Sequence, residues 1–274
     1  MKGIISGIKR MEIHDGDGIR TTVFFKGCPL KCKWCHNPES ISYKTEVAFF
    51  KSKCISCGSC KGEKSISASV SCPTGALVCY GSEYEADALA RQLLKDKPFF
   101  ETSGGGVTFS GGECLTQIDF AVELARILKS NGVSVYIDTC GFVPRSSIDA
   151  ILPYADKFLY DIKAISPEVH QSCTGRDNAT ILENLRYLVK NGARIEIRYP
   201  LVKGENDGQA ELIGEFLADL GGIESVKVLR YHSLAASRYE ALGMENSLPP
   251  QITEASDVEN AKAIISSYGI KVIS

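Results

Sequence analysis

The chain has no long apolar run and no excess of charge of either sign. Its 274 residues include 31 basic and 33 acidic side chains, a formal net charge of −2. This balance predicts no nucleic-acid partner and no binding to an anionic membrane. No apolar stretch is long enough to span a bilayer, and the first residues lack the apolar core of a signal peptide. We therefore expect a cytoplasmic protein.

Histidine and tryptophan are scarce, with four and one respectively, whereas cysteine occurs eleven times. Because cytosolic thiols stay reduced, metal ligation is expected in preference to disulfides. Scattered cysteines are usually small buried hydrophobic residues, whereas grouped ones are candidate ligands. The cysteines form a group of three, a group of four and a scattered set: Cys28, Cys32 and Cys35; Cys54, Cys57, Cys60 and Cys72; Cys79, Cys114, Cys140 and Cys173.

The first group has the spacing C-x3-C-x2-C and follows a short apolar, strand-like run at 22–25. Three thiolates on one loop can ligate three irons of a [4Fe-4S] cluster, which leaves the fourth iron open for a substrate or cofactor. A catalytic zinc keeps one position open in the same way. This spacing, with the aromatic Trp34 before the third cysteine, resembles the signature of the radical S-adenosylmethionine (SAM) family.

The second group reads Cys54-Ile-Ser-Cys57-Gly-Ser-Cys60, followed by Cys72-Pro73. This pattern is similar to bacterial ferredoxin sequences and predicts one closed auxiliary [4Fe-4S] cluster. Cys79 is a substitute fourth ligand, and a zinc site built from the same thiolates is the alternative. Because the chain shows a single set of four, no second auxiliary cluster is expected.

Strand-like and helical segments alternate along the rest of the chain, which predicts an α/β protein with a parallel sheet and right-handed crossovers. There are six βα repeats and a final short strand. The strands are expected near 22–25, 107–109, 133–137, 158–160, 194–199, 226–229 and 270–273, and the helices near 85–97, 118–129, 146–152, 181–190, 210–220 and 255–267.

The predicted strand ends carry polar, chelating or glycine-rich groups. In a parallel barrel these ends meet at one mouth, where chemistry is expected. Each group alone has an ordinary structural explanation, but six in register with six strands indicate a site. The groups, in strand order, are Cys28; Ser110-Gly111-Gly112-Glu113; Asp138-Thr139; Asp161-Ile162-Lys163; Arg198; and Tyr231-His232.

These groups suit SAM, whose ammonium and carboxylate can chelate the open iron. Gly111, Gly112 and Glu113 would receive the ammonium. Lys163 or Arg198 would bind the carboxylate, and His232 would contact the ribose or adenine. The cofactor would supply the radical chemistry, and the protein would orient it and exclude water.

Several motifs narrow the resemblance to the glycyl radical enzyme activating enzymes, over residues 1 to about 243. They are Asp15-Gly16-x-Gly18-Ile19-Arg20-Thr21, Cys35-His36-Asn37-Pro38-Glu39, Gly111-Gly112-Glu113, Asp138-Thr139-x-Gly141 and Asp161-Ile162-Lys163. The resemblance implies a partial (β/α)6 TIM-like barrel made of residues 1–44 and 82–274, interrupted by a ferredoxin-like insert at 45–81. It also implies an enzyme that cleaves SAM to a 5′-deoxyadenosyl radical and removes a hydrogen from a backbone glycine of a partner enzyme.

The same resemblance implies further site residues. Trp34, His36 and Asn37 would belong to the SAM site, and Asp15, Asp17 and Arg20 would receive the partner's glycine loop. A monovalent cation, Na⁺ or K⁺, would be bound by Asp138, Thr139, Asp161 and the carbonyl of Leu159. Asp17 stands where the family usually has proline, and Cys114 and Cys140 are expected to be packing residues.

The expected partners are a glycyl radical enzyme and an electron donor of the flavodoxin or ferredoxin type, and the chain is expected to be a monomer. The insert favours a dehydratase, decarboxylase or carbon–nitrogen or carbon–sulfur lyase over pyruvate formate-lyase. Two alternatives stay open. One is a radical SAM enzyme acting on another peptide or small molecule, and the other is a non-catalytic iron–sulfur or zinc protein.

Overall fold

The computed structural model describes residues 1–273. A nine-stranded sheet and a separate two-stranded sheet are surrounded by ten α-helices within this range. The strands are β1 (Lys2–Glu12), β2 (Arg20–Phe25), β3 (Glu46–Phe49), β4 (Leu77–Tyr80), β5 (Ser82–Glu85), β6 (Gly106–Gly111), β7 (Ser134–Thr139), β8 (Lys157–Asp161), β9 (Ile195–Leu201), β10 (Ser225–Arg230) and β11 (Val272–Ile273). The helices are α1 (Ile66–Ser71), α2 (Ala86–Leu93), α3 (Lys97–Ser103), α4 (Ile118–Ser130), α5 (Arg145–Ile151), α6 (Pro167–Thr174), α7 (Ala179–Lys190), α8 (Ala210–Leu220), α9 (Ala236–Leu242) and α10 (Ala255–Ser267).

The large sheet has the order β11-β10-β9-β8-β7-β6-β2-β1-β5. From β2 to β11 every pairing is parallel, whereas β1 is antiparallel to both β2 and β5. The edges of the sheet, β5 and β11, are not paired with each other, so the barrel is partial. The predicted α/β class, with six βα repeats and a last short strand, is confirmed.

The core lies between the sheet and the helices that follow each strand. Strand β7 buries Val135 and Ile137 completely, and β8 buries Phe158 and Leu159 to within 1%. Helix α4 turns one apolar stripe towards this sheet, since the residues that are buried recur at helical spacing. Strands covered on both faces are expected in parallel sheets, which explains why their sequences read as apolar runs.

The helix boundaries differ from the sequence prediction around Pro98. The expected helix to residue 97 ends at Leu93, and after one 3₁₀ turn a new helix, α3, begins at Lys97. Proline is tolerated in the first turn of a helix because its missing N–H has no intrahelical acceptor there. Pro98 therefore begins a helix instead of ending one.

Besides α3, four elements outside the insert were not predicted: β1, β5, α6 and α9. Strand β1 forms an antiparallel hairpin with β2, with register shifts next to Gly7 and between Lys9 and Glu12. Helices α6 and α9 span only eight and seven residues, too short for a clear apolar period. Within residues 1–273 the longest helices also fall short of what a membrane crossing requires in length and apolar character.

Residues 46–80 lie outside the large sheet and contain the β3–β4 hairpin sheet and helix α1. The Lys26 side chain joins this segment to the barrel, since its fully buried ammonium donates to Glu46 at 2.7 Å and to the Glu39 carbonyl at 2.8 Å. The division of the chain into a barrel and an insert at 45–81, and the ferredoxin-like nature of that insert, stay predictions.

Candidate functional site

A cavity of about 670 Å³ opens at the carboxyl ends of the parallel strands. Its size and its mixture of apolar and polar lining are those of a small-molecule site. Most of the residues singled out from the strand ends line it: Cys28, Cys32, Trp34, Cys35, His36, Asn37, Gly111, Gly112, Asp138, Thr139, Asp161, Lys163, Arg198 and His232. Asp15, from the hairpin between β1 and β2, lines it too.

The loop with the first three cysteines is fixed by backbone hydrogen bonds from both sides. The Cys28 N–H donates to the Ile41 carbonyl at 3.0 Å, and the Lys33 N–H donates to the Cys173 carbonyl at the end of α6 at 3.0 Å. Gly27, with φ of +100°, begins the turn, and a side chain there would collide with the Tyr43 ring. The loop conformation is therefore set by the fold.

The three thiols face one another and suit an iron centre. Burial raises the pKa of Cys32 and raises that of Cys35 to about 12. The thiol of Cys140 and the N–H of Leu30 lower the pKa of Cys28 against the effect of burial. Thiols that burial keeps neutral become thiolate ligands when a metal supplies positive charge. This donor set therefore fits the [4Fe-4S] cluster that the sequence predicts.

Nowhere in residues 1–273 do three or more His, Cys, Asp or Glu side chains converge as they would around one metal ion. The preference for a four-iron cluster over zinc therefore rests on the spacing of the cysteines in the sequence.

Charged side chains from successive strand ends form the opposite wall. The Lys163 ammonium contacts Asp161 at 2.6 Å, and one Arg198 nitrogen lies 3.6 Å from both Asp15 and Asp138. Burial, together with the charges of Asp161 and Asp15, raises the pKa of Asp138, although Arg198 opposes this. The buried Arg198 Nε makes no hydrogen bond in the described part of the chain, and a carboxylate oxygen of Glu196 lies 3.7 Å from it.

Two imidazoles form an aromatic side of the cavity. The rings of His36 and His232 stack with centroids 4.3 Å apart and planes 12° apart, and His36 Nε2 lies 2.8 Å from the His232 carbonyl. Trp34 is nearly buried and packs with Tyr231 in a small apolar cluster beside them. Flat rings with polar edges suit a purine base.

The glycine turn after β6 is needed for close packing against the cysteine loop. A Cβ on Gly112 would lie 2.3 Å from the Gly27 carbonyl oxygen, and Gly111 has φ of +115°. The N–H of Gly112 donates to the Phe25 carbonyl and that of Glu113 to the Gly27 carbonyl. The N–H groups of Gly112 and Glu113 are therefore already hydrogen-bonded within the protein.

Glu113 does not line the cavity, contrary to the sequence expectation that it receives the SAM ammonium. It is fully buried, accepts from the Cys140 N–H at 2.8 Å and from the Thr139 hydroxyl at 2.9 Å, and caps the turn at Leu115. Burial raises its pKa, which these donors oppose. Glu113 holds the β6 and β7 ends together instead of contacting a ligand.

Leu159 also lies away from the cavity surface. Its side chain is completely buried in β8, where its backbone is paired with Asp138 of β7. A ligand role would have to come from its carbonyl, as the resemblance implies.

Asp17 and Arg20 lie at the other end of the strands and do not reach the cavity. The Asp17 carboxylate accepts from the Tyr136 hydroxyl at 2.8 Å and lies 3.6 Å from the Lys157 ammonium. Arg20 is fully buried, and its guanidinium lies 3.6 Å from the Tyr136 ring centroid. Of these three residues Asp15 alone lines the cavity, and the expectation that Asp17 and Arg20 receive a partner loop stays a prediction.

Arg20 instead joins the hairpin to the barrel. It donates to the Thr108 hydroxyl at 2.7 Å and to the Val107 carbonyl at 2.8 Å, and burial lowers its pKa to about 10. We expect Arg20→Met to lower the free energy of unfolding by about 3 kcal/mol, because several buried acceptors lose their donor. Urea unfolding monitored by circular dichroism measures this.

The matched control for that substitution is Arg91→Met, which removes an exposed arginine that pairs with Asp87 on α2. It should change the free energy of unfolding by no more than about 0.5 kcal/mol. Equal, small effects of both substitutions would show that Arg20 is not a structural residue.

Sequence reasoning missed helix α9, which supports the cysteine loop from behind. Arg238 donates to the His36 carbonyl at 2.8 Å and to the Glu39 carboxylate at 2.9 Å, and the Tyr239 hydroxyl donates to the Cys35 carbonyl at 3.1 Å. These residues fix the loop that follows the third cysteine. A short helix with one arginine carries no sequence signal for this role.

The second cysteine group lies at the surface of residues 46–80. Cys54 and Cys57 are exposed, and Cys60 and Cys72 are partly buried. The N–H groups of Leu77, Thr74 and Ala76 point to the Cys72 sulfur and lower its pKa to about 7. The Ser56 N–H similarly donates to Cys54 Sγ at 3.4 Å. Backbone N–H groups aimed at sulfur stabilise thiolates and suit iron–sulfur ligands.

Comparison with known proteins identifies relatives of the whole chain. Residues 22–217 match the model of the radical SAM superfamily. The chain is 36% identical to the choline trimethylamine-lyase activating enzyme of Oleidesulfovibrio alaskensis, over 99% of this chain and 97% of that protein. It is 38% identical to the trans-4-hydroxy-L-proline dehydratase activating enzyme of Clostridioides difficile, over 88% of each. It is 37% identical to the pyruvate formate-lyase 2-activating enzyme of Escherichia coli, over 98% of this chain and 91% of that protein.

Solved structures that resemble this chain include an activating enzyme domain. A domain of pyruvate-formate lyase-activating enzyme from Bacteroides vulgatus superposes with a TM-score of 0.53 at 27% identity, over 62% of this chain and 98% of that domain. Streptococcus suis SuiB bound to S-adenosylmethionine superposes with a TM-score of 0.58 over 90% of this chain and 47% of that protein. At 13% identity the second likeness concerns the fold alone.

Proposed function

Because the chain belongs to the radical SAM superfamily and, within it, to the glycyl radical enzyme activating enzymes, we propose that its partner is a glycyl radical dehydratase, decarboxylase or carbon–nitrogen or carbon–sulfur lyase. Such an activase uses SAM and a [4Fe-4S] cluster, which together supply a 5′-deoxyadenosyl radical that removes a hydrogen atom from a backbone glycine of the partner. The observation that supports this chemistry is the cavity at the strand ends, which is lined by three cysteines and by charged groups.

The choice of partner class rests on the cysteine-bearing segment 46–80. Identity alone does not separate the partners, because relatives named for a lyase, a dehydratase and pyruvate formate-lyase 2 are all 36 to 38% identical to the chain. A segment that presents four cysteines with N–H groups aimed at sulfur supports an activase with an auxiliary cluster. The relative named for pyruvate formate-lyase 2 also aligns over 98% of this chain, so the segment does not by itself separate the partners. By the family resemblance of the insert we favour the dehydratase and lyase partners over pyruvate formate-lyase.

In the proposed site Cys28, Cys32 and Cys35 hold three irons. Arg198 or Lys163 binds the SAM carboxylate, since both cationic side chains line the cavity.

Other residues around the cavity would orient the ammonium and the adenosine of SAM. The carbonyl groups of Gly111 and Gly112 suit the ammonium, since neither residue puts a side chain in the way. The stacked pair His36 and His232, with Asn37 and Trp34, encloses the adenosine.

The partner's glycine loop would enter through the open side of the barrel. The cavity is lined by Lys9 and Glu12 of β1 and by Lys227 of β10, strands near the two unpaired sides of the sheet. His14 and Asp15 lie further in, on the hairpin. A glycine loop inserted here would reach the strand ends and seal the cavity from water.

A monovalent cation, Na⁺ or K⁺, would lie beside SAM on Asp138, Thr139, Asp161 and the Leu159 carbonyl. Asp138 and Asp161 are neighbours at the cavity wall, and the raised pKa of Asp138 reflects burial among like charges. A cation there would relieve that repulsion, and oxygen ligands suit it.

The auxiliary [4Fe-4S] cluster would be held by Cys54, Cys57, Cys60 and Cys72, with Cys79 as the less suitable fourth ligand. The protein would act as a monomer and receive electrons from a flavodoxin or ferredoxin type donor.

Formation of a glycyl radical in a partner tests the proposed partner class. Anaerobically reconstituted protein, with about eight irons per chain, is mixed with SAM, a reductant and one purified glycyl radical enzyme at a time. Electron paramagnetic resonance should show a glycyl radical with a dehydratase, decarboxylase or lyase, and none with pyruvate formate-lyase.

The matched control is Cys32→Ser protein, which should give no radical with any partner. A glycyl radical with pyruvate formate-lyase alone would contradict the proposed partner class. SAM cleavage without a radical in any partner would favour the alternative of another peptide or a small-molecule substrate.

A further inference from the structure

A row of charged side chains with alternating sign begins at the cavity and ends at the surface. In order from the cavity, its members are Arg198, Glu196, Lys157, Glu224 and Arg194, and the distances between the charged groups of neighbours are 3.7, 3.4, 3.2 and 2.6 Å. The first three side chains are 7%, 5% and 6% exposed, whereas those of Glu224 and Arg194 are 34% and 55% exposed. We call this set the charge row.

Glu196 is the buried carboxylate of the charge row. It lies two residues before Arg198 on β9, so the two side chains point to the same face of the sheet. Burying a carboxylate is costly unless opposite charges accompany it. Arg198 and Lys157 are the ion-pair partners of Glu196 within residues 1–273. The charge of Glu196 is therefore compensated in part by Arg198.

The three nitrogens of the Arg198 guanidinium have different surroundings. Nη2 donates to the His14 carbonyl at 3.0 Å, and Nε makes no hydrogen bond in residues 1–273 but lies 3.7 Å from Glu196. Nη1 lies 3.6 Å from both Asp15 and Asp138, which is too long for a hydrogen bond. Because the guanidinium is planar and rigid, the bond at Nη2 and the attraction at Nε together set the direction of Nη1.

Lys157 binds Glu196 on the side of the charge row that leads to the surface. It is 5% exposed and is the first residue of β8. Its ammonium also lies 3.2 Å from Glu224 and 3.6 Å from Asp17. Because three carboxylates surround this ammonium, the loss of one carboxylate leaves it with two partners. Neither Glu196 nor Glu224 is needed alone to keep Lys157 paired.

We propose that Glu196 is a positioning residue that acts through Arg198 and directs Nη1 towards the carboxylate of SAM. Glu196 and Lys157 are not among the residues that line the cavity, whereas Arg198 is. This inference rests on the proposed function, in which Arg198 or Lys163 binds the SAM carboxylate, and it assigns that task to Arg198. The Lys163 ammonium is already bonded to Asp161 at 2.6 Å.

The test compares Glu196→Gln, Arg198→Met and the double variant in anaerobically reconstituted protein. Equilibrium dialysis with radiolabelled SAM measures the Kd while the clusters stay oxidised, so that no SAM is cleaved. Glu196→Gln should raise the Kd about tenfold, and Arg198→Met at least as much. The double variant should match Arg198→Met within about twofold, because a residue that acts through Arg198 has no effect once Arg198 is removed. Urea unfolding of each variant measures any loss of stability separately.

The matched control is Glu224→Gln, which removes another carboxylate from Lys157 but none from Arg198. Its Kd for SAM should stay within about twofold of wild type. If Glu196→Gln protein does not fold, Glu196→Asp replaces it in the comparison and should raise the Kd about threefold, because the charge is kept but lies further from Arg198.

Three results would overturn the proposal: an additive effect in the double variant, an unchanged Kd in either single variant, or equal effects of Glu196→Gln and Glu224→Gln. Wild-type protein that binds no SAM would instead overturn the proposed function.

Discussion

Replacing Cys32 with serine is expected to abolish SAM cleavage. The Cys32 thiol lines the cavity and faces Cys28 and Cys35. A serine hydroxyl in the same buried position ionises far less readily than a thiol and is a poor ligand for iron. The cluster would be lost or left with two protein ligands. Anaerobic assays for 5′-deoxyadenosine should detect none, and iron should fall from about eight to about four per chain.

Cys173→Ser is the matched control, because it removes a thiol beside the same loop without removing a predicted ligand. Cys173 is 1% exposed, packs with Trp34 and points its sulfur at the Glu205 carbonyl at 3.7 Å. A serine hydroxyl can donate to that carbonyl. We expect full iron content and SAM cleavage within about threefold of wild type. Undiminished cleavage by Cys32→Ser protein would refute its assignment as a ligand.

Much of the fold can be predicted from the sequence, because apolar residues are spaced differently in buried parallel strands and in the helices that cover them. β7 and β8 read as short apolar runs, whereas α4 and α7 read as stripes with helical spacing. The hairpin strand β1 escaped notice because it mixes apolar and charged residues along its length. Strand β5 pairs only with Lys2–Ile5 of β1, and the burial of β1 residues is irregular along the strand.

The candidate site was accessible from sequence for one physical reason, namely that the carboxyl ends of parallel strands meet. That rule found Asp138, Lys163, Arg198 and His232 without knowledge of their contacts. It could not reveal that Glu113 turns away from the cavity, since one residue beyond a strand end can face either side.

A sequence motif does not fix the direction in which each of its side chains points. Asp15 turns into the barrel, whereas Arg20, five residues later, begins β2 at the opposite end and is buried under Tyr136. Arg238 was missed for a related reason, because its partners are more than 190 residues away along the chain. Long-range contacts of this kind leave no trace in local spacing.

The fourth ligand of the proposed auxiliary cluster is a question that the sequence left open, and the surroundings of the two candidate thiols differ. Three backbone N–H groups surround the Cys72 sulfur, from Leu77, Thr74 and Ala76. A hydrogen bond with the Ser59 side chain lowers the pKa of Cys57, and the charge of Cys72 opposes this effect. The two thiols are therefore close to each other. Cys79 lies within β4, where its backbone pairs with Val47 of β3. A strand position in a two-stranded sheet offers no comparable set of donors to a thiolate.

Cys72→Ser is therefore expected to remove the auxiliary cluster, whereas Cys79→Ser is expected to keep it. The iron content of Cys72→Ser protein should fall from about eight to about four per chain, and Cys79→Ser protein should stay near eight. SAM should still bind to the remaining cluster of Cys72→Ser protein and change its electron paramagnetic resonance spectrum. The reverse pattern would make Cys79 the ligand. Loss of both clusters in Cys72→Ser protein would mean that the segment 46–80 supports the SAM cluster loop, through the Lys26 link between Glu46 and Glu39.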